Sequence, residues 1–335
     1  MSESRLRATI YDVAERAGVS IGTVSRTLNA PGKVAELTRR RVLDAVGELG
    51  FTPDEVASCR ARRGAGRIGV FAPFTSYPSF GERLAGVLAA ARGSNIGVVV
   101  CDVRSAAESA AALEGLPALR SLDGVMLMST PISEKAAAAL KKGRLPTVLV
   151  DGTGFGFPSV TSDDELGGAL AAQALLAAGK QHFAFLGHQQ LQAALESPSR
   201  RRLRGFAAAL KASGRDFDPA AAVLTGRDFA AAAAAVGELL ASPQPPDGLF
   251  AHTDELAAAA RLAAIRRGLR VPEDLAIVGF DDSTLAEALE LTTIRQPLRE
   301  TGEWAFRTLL SLIQDPASPV PSVTLPVTLV RRRSA

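Results

Sequence analysis

Two hydrophobic patterns divide the chain at about residue 50. Before that point, apolar side chains recur at i, i+3, i+4 and i+7, which is the spacing of one face of an α-helix. From residue 68 onward, short continuous apolar runs alternate with segments of helical pattern. The first pattern predicts a small helical head. The second predicts parallel sheets that are covered by helices on both faces.

The head begins with two short helices separated by a break of three or four residues. In the first helix, Thr9 is the predicted N-cap, Asp12 stands where a carboxylate suits the helix dipole, and Gly18 ends the helix. Ser20 is the predicted N-cap of the second helix. Two short helices joined by a turn that contains glycine are typical of a helix-turn-helix. The apolar positions of the first helix are Ile10, Val13, Ala14 and Ala17.

A rotation of 100° per residue sorts the second helix into two faces. Ile21, Val24 and Leu28 fall together, so we expect them to face the core. Val19 and Val24 have the spacing of a hydrophobic staple, which fixes the angle at which the chain enters the helix. The predicted outer face consists of Gly22, Thr23 and Arg26.

A third helix completes the head. It is predicted from Leu37 to Leu49, and Gly50 ends it. Its apolar stripe consists of Val42, Ala45, Val46 and Leu49. Three small helices over one core form a minimal domain, which we place at residues 1–52. A polar, basic connector that contains glycine follows over residues 53–67.

The body, residues 68–335, contains two successive series of apolar runs. Two such series predict two doubly wound lobes, whose ligands would bind beyond the carboxyl ends of the strands. The predicted strands are IGVFA, GVVVCDV, GVMLMS, PTVLVDG, HFAFLGH, AVLTG, GLFAHT and LAIVGFDD. The helices between them include Glu82–Arg92, Glu165–Ala178, Arg201–Ala212, Phe229–Leu240 and Glu255–Arg267.

Charge is distributed unevenly along the 335 residues. Residues 1–67 contain 12 Lys and Arg against 8 Asp and Glu, whereas the remainder contains 26 against 27. A basic head on a nearly neutral body is typical of a nucleic-acid-binding appendage, and it fits a solvated basic surface equally well. The outer face of the second helix favours the first interpretation. Arg26 could hold guanine O6 and N7, the Thr23 methyl could touch thymine, and Thr23, Ser25 and Asn29 could donate to phosphates.

Several other classes of protein lack their signals in this sequence. No run of about 18 apolar residues predicts a transmembrane helix, and the N-terminus resembles no secretory signal, so we expect a cytoplasmic protein. Cys59 and Cys101 have neither disulfide nor zinc spacing, and the three histidines (His182, His188 and His252) have no metal-ligand spacing. The GTGFG segment is not a GxGxxG fingerprint, and no nucleophile elbow or P-loop occurs. We therefore predict no enzyme, no cofactor and no metal.

The combined motifs resemble a known family. The segments TIYDVAERAGVSIGTVSRTLN and TRRRVLDAVGELGFTP are similar to the DNA-binding head of lactose-repressor (LacI) type bacterial transcription regulators. The segments PSVTSDDELGG, RLRGFAAAL, RGLRVPEDLAIVGFDD and LTTIRQPLRETG resemble the family's body. The resemblance implies an all-α helix-turn-helix head and an α/β two-lobed body like that of periplasmic binding proteins. It also implies that the chain crosses between the lobes three times, near Thr161–Asp163, Leu291–Ile294 and Ala317–Ser322.

The resemblance also implies which residues touch DNA. Ile21, Gly22 and Arg26 occupy the family's base-reading positions on a recognition helix in the major groove. The connector matches a hinge helix that wedges a leucine into the minor groove, but Arg60 stands at that position. Arg60 could insert into a narrow minor groove with less kinking, or it could contact phosphate only. The full predicted DNA-contacting set is Thr9, Ser20, Ile21, Gly22, Thr23, Ser25, Arg26, Asn29, Ala57 and Arg60.

A second set of residues is expected to bind an effector between the lobes. Arg202 matches a family arginine that contacts effector, and Asp254 and Asp281 match positions that accept ligand hydrogen bonds. The nearby run of arginines could instead be a solvated face, and the aspartates could be helix caps. Thr253 replaces the asparagine that the family usually carries. The full predicted set is Tyr77, Phe80, Asp151, Arg202, Asp254 and Asp281.

The function expected from this resemblance is transcriptional regulation by a DNA-binding homodimer. The protein would act as a repressor whose affinity for double-stranded operator DNA is controlled by a small molecule between the lobes. An arginine with several carboxylates suits a polyhydroxylated ligand, so a sugar is the first expectation and a purine or other metabolite the second. An α/β enzyme and a periplasmic solute-binding protein are the rival classes, and the absent motifs and the basic helix-turn-helix disfavour them.

Overall fold

The chain folds into two compact units, Met1–Ala65 and Gly66–Ala335. The computed structural model describes residues 8–29, 32, 34–49, 51, 66–73, 77–103, 106–119, 121–130, 132–189, 196–219, 222–226, 228–317 and 319–335. The predicted connector at 53–67 lies almost entirely outside the described residues. Its last residue, Arg67, already belongs to the first strand of the body.

The head contains the three predicted helices, α1 (Ile10–Ala17), α2 (Ile21–Asn29) and α3 (Glu36–Leu49). Their local signals were predicted correctly. Thr9 and Asp12 form a capping box, because the Asp12 amide donates to the Thr9 hydroxyl and the Thr9 amide donates to the Asp12 carboxylate at 2.7 Å. Gly18 ends α1 with φ 64°, and Ser20 Oγ accepts from the Thr23 amide.

The head core confirms most of the predicted faces and corrects one residue. Val24 is fully buried, and the Val42, Ala45, Val46 and Leu49 stripe of α3 packs into the same cluster. Ile21, however, is 40% exposed, so the prediction that it faces the core is wrong. Thr27, which was not predicted to face the core, is buried and donates from its hydroxyl to the Thr23 carbonyl. Ile21 lies in the first turn of α2, where the helix extends past the edge of the small core.

The body consists of two lobes, each built on a six-stranded sheet with helices on both faces. The first sheet is parallel throughout and runs in the order β11-β5-β4-β3-β1-β2. Its strands are β1 (Arg67–Ala72), β2 (Gly97–Asp102), β3 (Gly124–Met128), β4 (Thr147–Val150), β5 (Ser159–Ser162) and β11 (Val323–Leu325). Its helices are α4 (Pro78–Ala91), α5 (Ala106–Leu119), α6 (Glu134–Lys142) and α12 (Leu298–Gln314).

The second lobe repeats this arrangement in the order β12-β10-β9-β8-β6-β7, with only β12 antiparallel. Its strands are β6 (Phe183–His188), β7 (Val223–Thr225), β8 (Gly248–Ala251), β9 (Ala276–Asp281), β10 (Thr292–Arg295) and β12 (Thr328–Val330). Its helices are α7 (Asp164–Ala177), α8 (Pro198–Ala212), α9 (Phe229–Leu240), α10 (Asp254–Arg266) and α11 (Thr284–Ala288). All eight strands expected from apolar runs are present. The polar β5 and β10 and the short β11 and β12 were not predicted.

The chain crosses between the lobes three times, and the structure moves two of the expected crossings. The first lies at Asp163, between β5 and α7, as predicted. The second lies at Gln296–Pro297 rather than at Leu291–Ile294, because β10 stays paired with β9 through Arg295. The third lies between β11 and β12 rather than at Ala317–Ser322, because β11 still pairs with β5 of the first sheet.

Paired glycines let two helices approach closely in each lobe. In the first lobe, Gly86 of α4 and Gly302 of α12 each face the backbone of the other helix. In the second lobe, Gly168 of α7 faces Arg202, and Gly205 of α8 faces Glu165. A Cβ atom at Gly205 would lie 2.0 Å from the Glu165 carbonyl oxygen. Glycine therefore sets the spacing of the helices that carry Arg83 and Arg202 to the space between the lobes.

We expect Gly205→Ala to lower the free energy of unfolding by about 1–3 kcal/mol, because the added methyl must separate two backbones. Gly81→Ala in α4 is the matched control, since a Cβ atom there meets nothing within 4 Å. The control should be neutral or stabilising by about 0.5–1 kcal/mol. Urea unfolding of both variants measures the difference. Equal stability of the two variants would contradict close packing at Gly205.

Candidate functional site

One face of α2 is available to a partner of the head. Ile21, Gly22 and Arg26 are exposed and Ser25 is half-buried, whereas Val24 faces the core. Arg26 forms no ion pair with any described residue. The predicted contacts Ile21, Gly22, Ser25 and Arg26 of α2 therefore share one surface.

Three of the residues predicted to contact DNA form hydrogen bonds at the starts of their helices. The Thr9 hydroxyl donates to Asp12 at 2.7 Å, and the hydroxyls of Ser20 and Thr23 lie 2.9 Å apart. These bonds hold the first turns of α1 and α2, where backbone amides are free to meet an anion. Two further predicted contacts, Ala57 and Arg60, lie outside the described residues.

Gly22 has no internal reason to be glycine. A Cβ atom at this position would meet only Ser20 Oγ, at 3.8 Å, which is an ordinary contact. Glycine in a helix interior is less favourable than alanine by about 1 kcal/mol. The head thus bears this cost on its exposed face without any packing benefit. A close approach by another molecule's surface would account for it.

The second candidate site lies between the lobes, at the carboxyl ends of the strands. In doubly wound sheets, ligands bind where the strand order reverses, which here lies between β1 and β3 in one lobe and between β6 and β8 in the other. Tyr77 follows β1, His188 ends β6 and His252 follows β8. The rings of Tyr77 and His188 meet edge to face at 6.5 Å, and those of His188 and His252 at 5.5 Å. Aromatic groups from both lobes therefore line this position.

Four non-glycine residues at the carboxyl ends of the strands have a positive φ. Ser129 (φ 46°) and Asp151 (φ 62°) follow β3 and β4, and Asp281 (φ 119°) and Asp282 (φ 57°) lie at the end of β9. Such backbone conformations are costly and cluster at ligand sites. Asp282 is held by Arg295 and by Arg332, each at 2.6 Å. These ion pairs support the strained end of β9.

A chain of buried polar contacts joins the two lobes. Ser129 donates to Asp151 at 3.0 Å, and Arg83 forms a 2.9 Å ion pair with the same carboxylate. Arg83 also donates to the Gln296 side chain at 3.3 Å, and Gln296 donates to Asp281 at 2.5 Å. The predicted residues Asp151 and Asp281 are thus linked through two residues that sequence reasoning missed.

Asp164, the first residue of α7, anchors a second polar cluster. Arg201 donates to one of its oxygens at 2.6 Å, and Arg202 donates to the other at 2.8 Å. Arg201 also reaches the backbone carbonyl of Asp151 in the first lobe. Arg202 donates to the His252 carbonyl at 2.6 Å and stacks over the Phe280 ring at 3.5 Å. The buried Arg202 is therefore a fixed wall of the cleft.

Asp254 has hydrogen-bond partners within its own lobe. One carboxylate oxygen accepts from the Thr293 hydroxyl at 2.6 Å, and the other accepts from the Ser283 amide at 2.7 Å. The helix caps that sequence reasoning left open for Asp254 and Asp281 are formed instead by Thr253 and Ser283, each of which accepts from the amide three residues later. The observed contacts of Asp254 tie α10 to β10 and α11.

Burial disfavours the charged form of two cleft carboxyls of the second lobe, Asp281 and Asp254. Burial raises the pKa of Asp281 well above its usual value, against the opposing effect of Arg202. Burial likewise raises the pKa of Asp254 to about 6, although the hydrogen bonds from Thr293 and Ser283 act in the opposite direction. Carboxyls with raised pKa values in a cleft are typical of functional sites.

The two aromatic residues predicted for the effector site, Phe80 and Tyr77, have different surroundings. Phe80 is buried in the core cluster of the first lobe with Val70 and Phe306, so packing accounts for it. Tyr77 is half-buried and meets His188 across the cleft. Arg83 Nε, Ser162 Oγ and Glu255 Oε2 are among the buried polar atoms that have no hydrogen-bond partner in the described part of the chain. They lie beside Asp151, at the end of β5 and at the start of α10, which are all at the cleft-facing ends of their elements.

Two further features are absent from the described part of the chain. No group of three His, Cys, Asp or Glu side chains there could hold a metal ion. None of the described helices combines the length and the apolar character needed to cross a bilayer.

Comparison with curated proteins reveals relatives that match nearly the whole chain. The transcriptional regulator DegA of Bacillus subtilis (strain 168) is 30% identical over 98% of both chains. The ribose operon repressor of the same organism is 34% identical over 98% of both chains. The repressor CytR of Escherichia coli (strain K12) is 31% identical over 92% of this chain and 90% of its own.

Solved structures share the fold over the same length. A lac repressor dimer bound to operator and the anti-inducer ONPF has a TM-score of 0.79 and 28% identity, covering 98% of this chain and 99% of that chain. The transcriptional regulator CelR in complex with cellobiose has a TM-score of 0.73 and 30% identity, covering 98% and 100%. The helical head and the α/β body both correspond.

A helix-turn-helix head and a two-lobed body with a polar cleft together define a class, the ligand-responsive DNA-binding regulators. Residues 9–54 match the family described as bacterial regulatory proteins, lacI family, and residues 172–335 match the periplasmic binding protein-like domain. With the full-length relatives, these matches show that the chain belongs to the lacI family. It is a sequence-specific DNA-binding transcriptional regulator with an effector-binding body.

The raised pKa of Asp254 predicts how the free energy of unfolding depends on pH. Because the folded protein holds this proton more tightly than the unfolded chain, the stability that Asp254 contributes is present below pH 4 and is lost as the pH rises towards 6. Relative to wild type, Asp254→Asn should therefore gain up to about 3 kcal/mol of unfolding free energy between pH 4 and pH 7.

Urea unfolding at several pH values measures this relative change. Asp274→Asn is the opposite control, since hydrogen bonds from Arg270 lower the pKa of the Asp274 carboxyl. Its unfolding free energy should not rise relative to wild type over the same interval. A flat difference between wild type and Asp254→Asn would contradict the raised pKa.

Proposed function

We propose that the exposed face of α2 reads operator bases and that a small molecule bound between the lobes controls this binding. The proposed reading of bases by α2 rests on Gly22, because no contact within the described part of the head requires glycine at this position. Arg26 extends from the same face, where a guanidinium can pair with guanine. Ile21, exposed beside them, is placed to contact a base edge. Thr9, Ser20, Thr23, Ser25 and Asn29 are proposed phosphate contacts.

The effector site is proposed around Tyr77, Asp151, Arg202, Asp254 and Asp281. The four positive-φ residues at the ends of β3, β4 and β9 support this choice, as do the unpartnered atoms Arg83 Nε, Ser162 Oγ and Glu255 Oε2. We also include Arg83, Gln296 and His188 in the proposed lining, because they contact these residues. Phe80 is not part of the proposed site, because it packs in the core of the first lobe. Since carboxyl and guanidinium groups pair well with hydroxyls, we propose a sugar, with a purine as the second candidate.

The relatives support a sugar without identifying which one. CelR is described in complex with cellobiose, and a LacI-family regulator from Enterococcus faecium is described with bound ribose, at 29% identity over 80% of this chain. Two of the curated relatives are ribose operon repressors. These sugars are ligands of the relatives, and they support the proposal of a sugar effector for this chain.

Coupling between effector and operator would pass through the lobes of a homodimer. A ligand that contacts both lobes favours one lobe arrangement by its difference in affinity for the two. The edge strands β2 and β7 lie at corresponding edges of the two sheets and leave Val99, Val100 and Leu224 exposed. Exposed apolar edge strands are suited to burial by a second copy. We propose that the dimer acts as a repressor.

We propose that the protein acts in the cytoplasm, where operator DNA lies, and that it catalyses no reaction. For the connector, we propose that Arg60 enters the minor groove without kinking DNA as sharply as an apolar wedge. A sharp central kink that persists in Arg60→Ala would contradict this.

Gly22→Ala separates DNA binding from head stability. The variant should stabilise α2 by about 0.5–1 kcal/mol, because alanine is the better helix former. It should weaken binding to an operator selected from random duplexes by about tenfold or more, equivalent to about 1.4 kcal/mol. Gly47→Ala in α3 is the matched control, since Gly47 is an exposed helix position where a Cβ atom meets nothing within 4 Å. Equal operator affinity of the two variants would contradict a close approach at Gly22.

The effector is tested by screening. Sugars and purines are screened for a rise in melting temperature, and each hit is then added to an operator-binding assay. A ligand at 100 times its Kd should add about 2.7 kcal/mol, which is a shift of several degrees. Asp281→Asn should retain the fold, since burial raises the pKa of this carboxyl and already disfavours its charged form, but should weaken ligand binding by about tenfold.

The same Asp274→Asn variant controls for the loss of an acidic residue. If no sugar or purine both binds and changes operator affinity, the proposed effector class is wrong. If Asp281→Asn binds the hit as tightly as the control does, the ligand lies elsewhere.

A further inference from the structure

The arginine run RRRLR near the start of α8 divides between two faces of that helix. Arg201 and Arg202 turn inward to Asp164. Arg200 and Arg204 turn outward, and Lys211 continues the same side two to three turns later. The inward pair belongs to the cleft. The outward residues line a different feature, which we call the α8 groove.

The α8 groove has a volume of about 860 Å³ and runs between the outer face of α8 and the segment 215–219. Phe217 fixes this segment, because its ring packs edge to face on Phe206 at 5.3 Å. The Arg215 amide donates to the Leu210 carbonyl and turns the chain back along the helix. Leu203, Ala207 and Phe217 give the groove an apolar floor.

The rim of the α8 groove carries excess positive charge. Four basic and two acidic side chains line it, although the body as a whole is nearly neutral. Arg204 is already paired with Glu165 and Glu196. Arg200, Lys211 and Arg215 form no ion pair with the described residues. These three cations are therefore available to an anionic partner.

The spacing of these cations indicates the kind of partner. Arg200 and Lys211 are eleven residues apart on one helix, which corresponds to about 16 Å along its axis. A single phosphate or carboxylate is held by donors that converge on one point, whereas these are spread along a line. An apolar floor between them adds little to binding of a nucleic-acid backbone. An amphipathic helix with acidic residues beside an apolar stripe matches both the floor and the rim.

We propose that the α8 groove binds an acidic amphipathic helix of a partner protein. The partner's apolar stripe lies over Leu203, Ala207 and Phe217, and its carboxylates meet Arg200, Lys211 and Arg215. This surface is separate from the cleft, because the residues that line it lie on the opposite side of α8 from Arg202.

The test uses the full-length chain and a labelled 16-residue peptide with leucine at i, i+3, i+4 and i+7 and glutamate on the flanking positions. Fluorescence anisotropy at low salt measures its affinity. Arg200→Glu with Lys211→Glu should weaken binding by at least about tenfold. Lys142→Glu with Arg266→Glu is the matched control, with the same charge change on exposed helix positions of α6 and α10.

A second variant tests the groove without changing charge. Ala208→Trp, at an exposed position of α8 that lines the groove, should block the peptide to a similar extent and leave operator affinity unchanged. A peptide of the same composition in scrambled order should bind at least about tenfold more weakly than the amphipathic one.

Four outcomes would overturn the proposal. They are no detectable peptide binding, equal binding of the scrambled peptide, equal affinity of the charge-reversed and control variants, and unchanged binding to Ala208→Trp. A fifth would replace it with a nucleic-acid contact, namely loss of non-specific duplex binding in the charge-reversed variant alone.

Discussion

The body depends on one buried carboxylate, Asp164, at the point where the chain first passes from one lobe to the other. Its two oxygens accept hydrogen bonds from Arg201 and Arg202, one each. Arg201 also donates to the Asp151 carbonyl in the first lobe, and Arg202 donates to the His252 carbonyl in the second lobe. Removing one partner of such a buried pair typically costs about 3–5 kcal/mol. The glycine contact of α7 with α8 lies directly beside it, so helix spacing and charge placement are set together.

Local signals predicted local structure well. The Thr9 capping box, the Gly18 end of α1 and the apolar strands of the body follow from interactions among near neighbours in the chain, and the structure has them. Ile21 was misjudged because a helical angle says nothing about how far a small core extends along the helix. The polar β5 and β10 were missed because their burial comes from neighbouring strands rather than from their own composition.

The cleft was only partly predictable, for a different reason. Family resemblance indicated Arg202, Asp254 and Asp281, but their partners come from distant positions in the chain. Strand order cannot be read from apolar runs, and without it nothing distinguishes His188 and His252 from ordinary surface residues. Once the sheet order is known, these histidines lie at the carboxyl ends of adjacent strands where the order reverses. Strand order, rather than residue type, is therefore the signal that would have found them.

The arginine run on α8 shows why charge pattern alone cannot assign roles. Successive residues of a helix point about 100° apart, so neighbouring arginines reach different environments. Arg201 and Arg202 are held inside by Asp164, which lies 37 and 38 positions away in the sequence. The stripe that starts at Arg200 faces outward because the glycine contact buries the opposite side of the helix. One rigid helix thus carries the cleft arginine on one face and the basic groove on the other, and the inward packing determines the position of both.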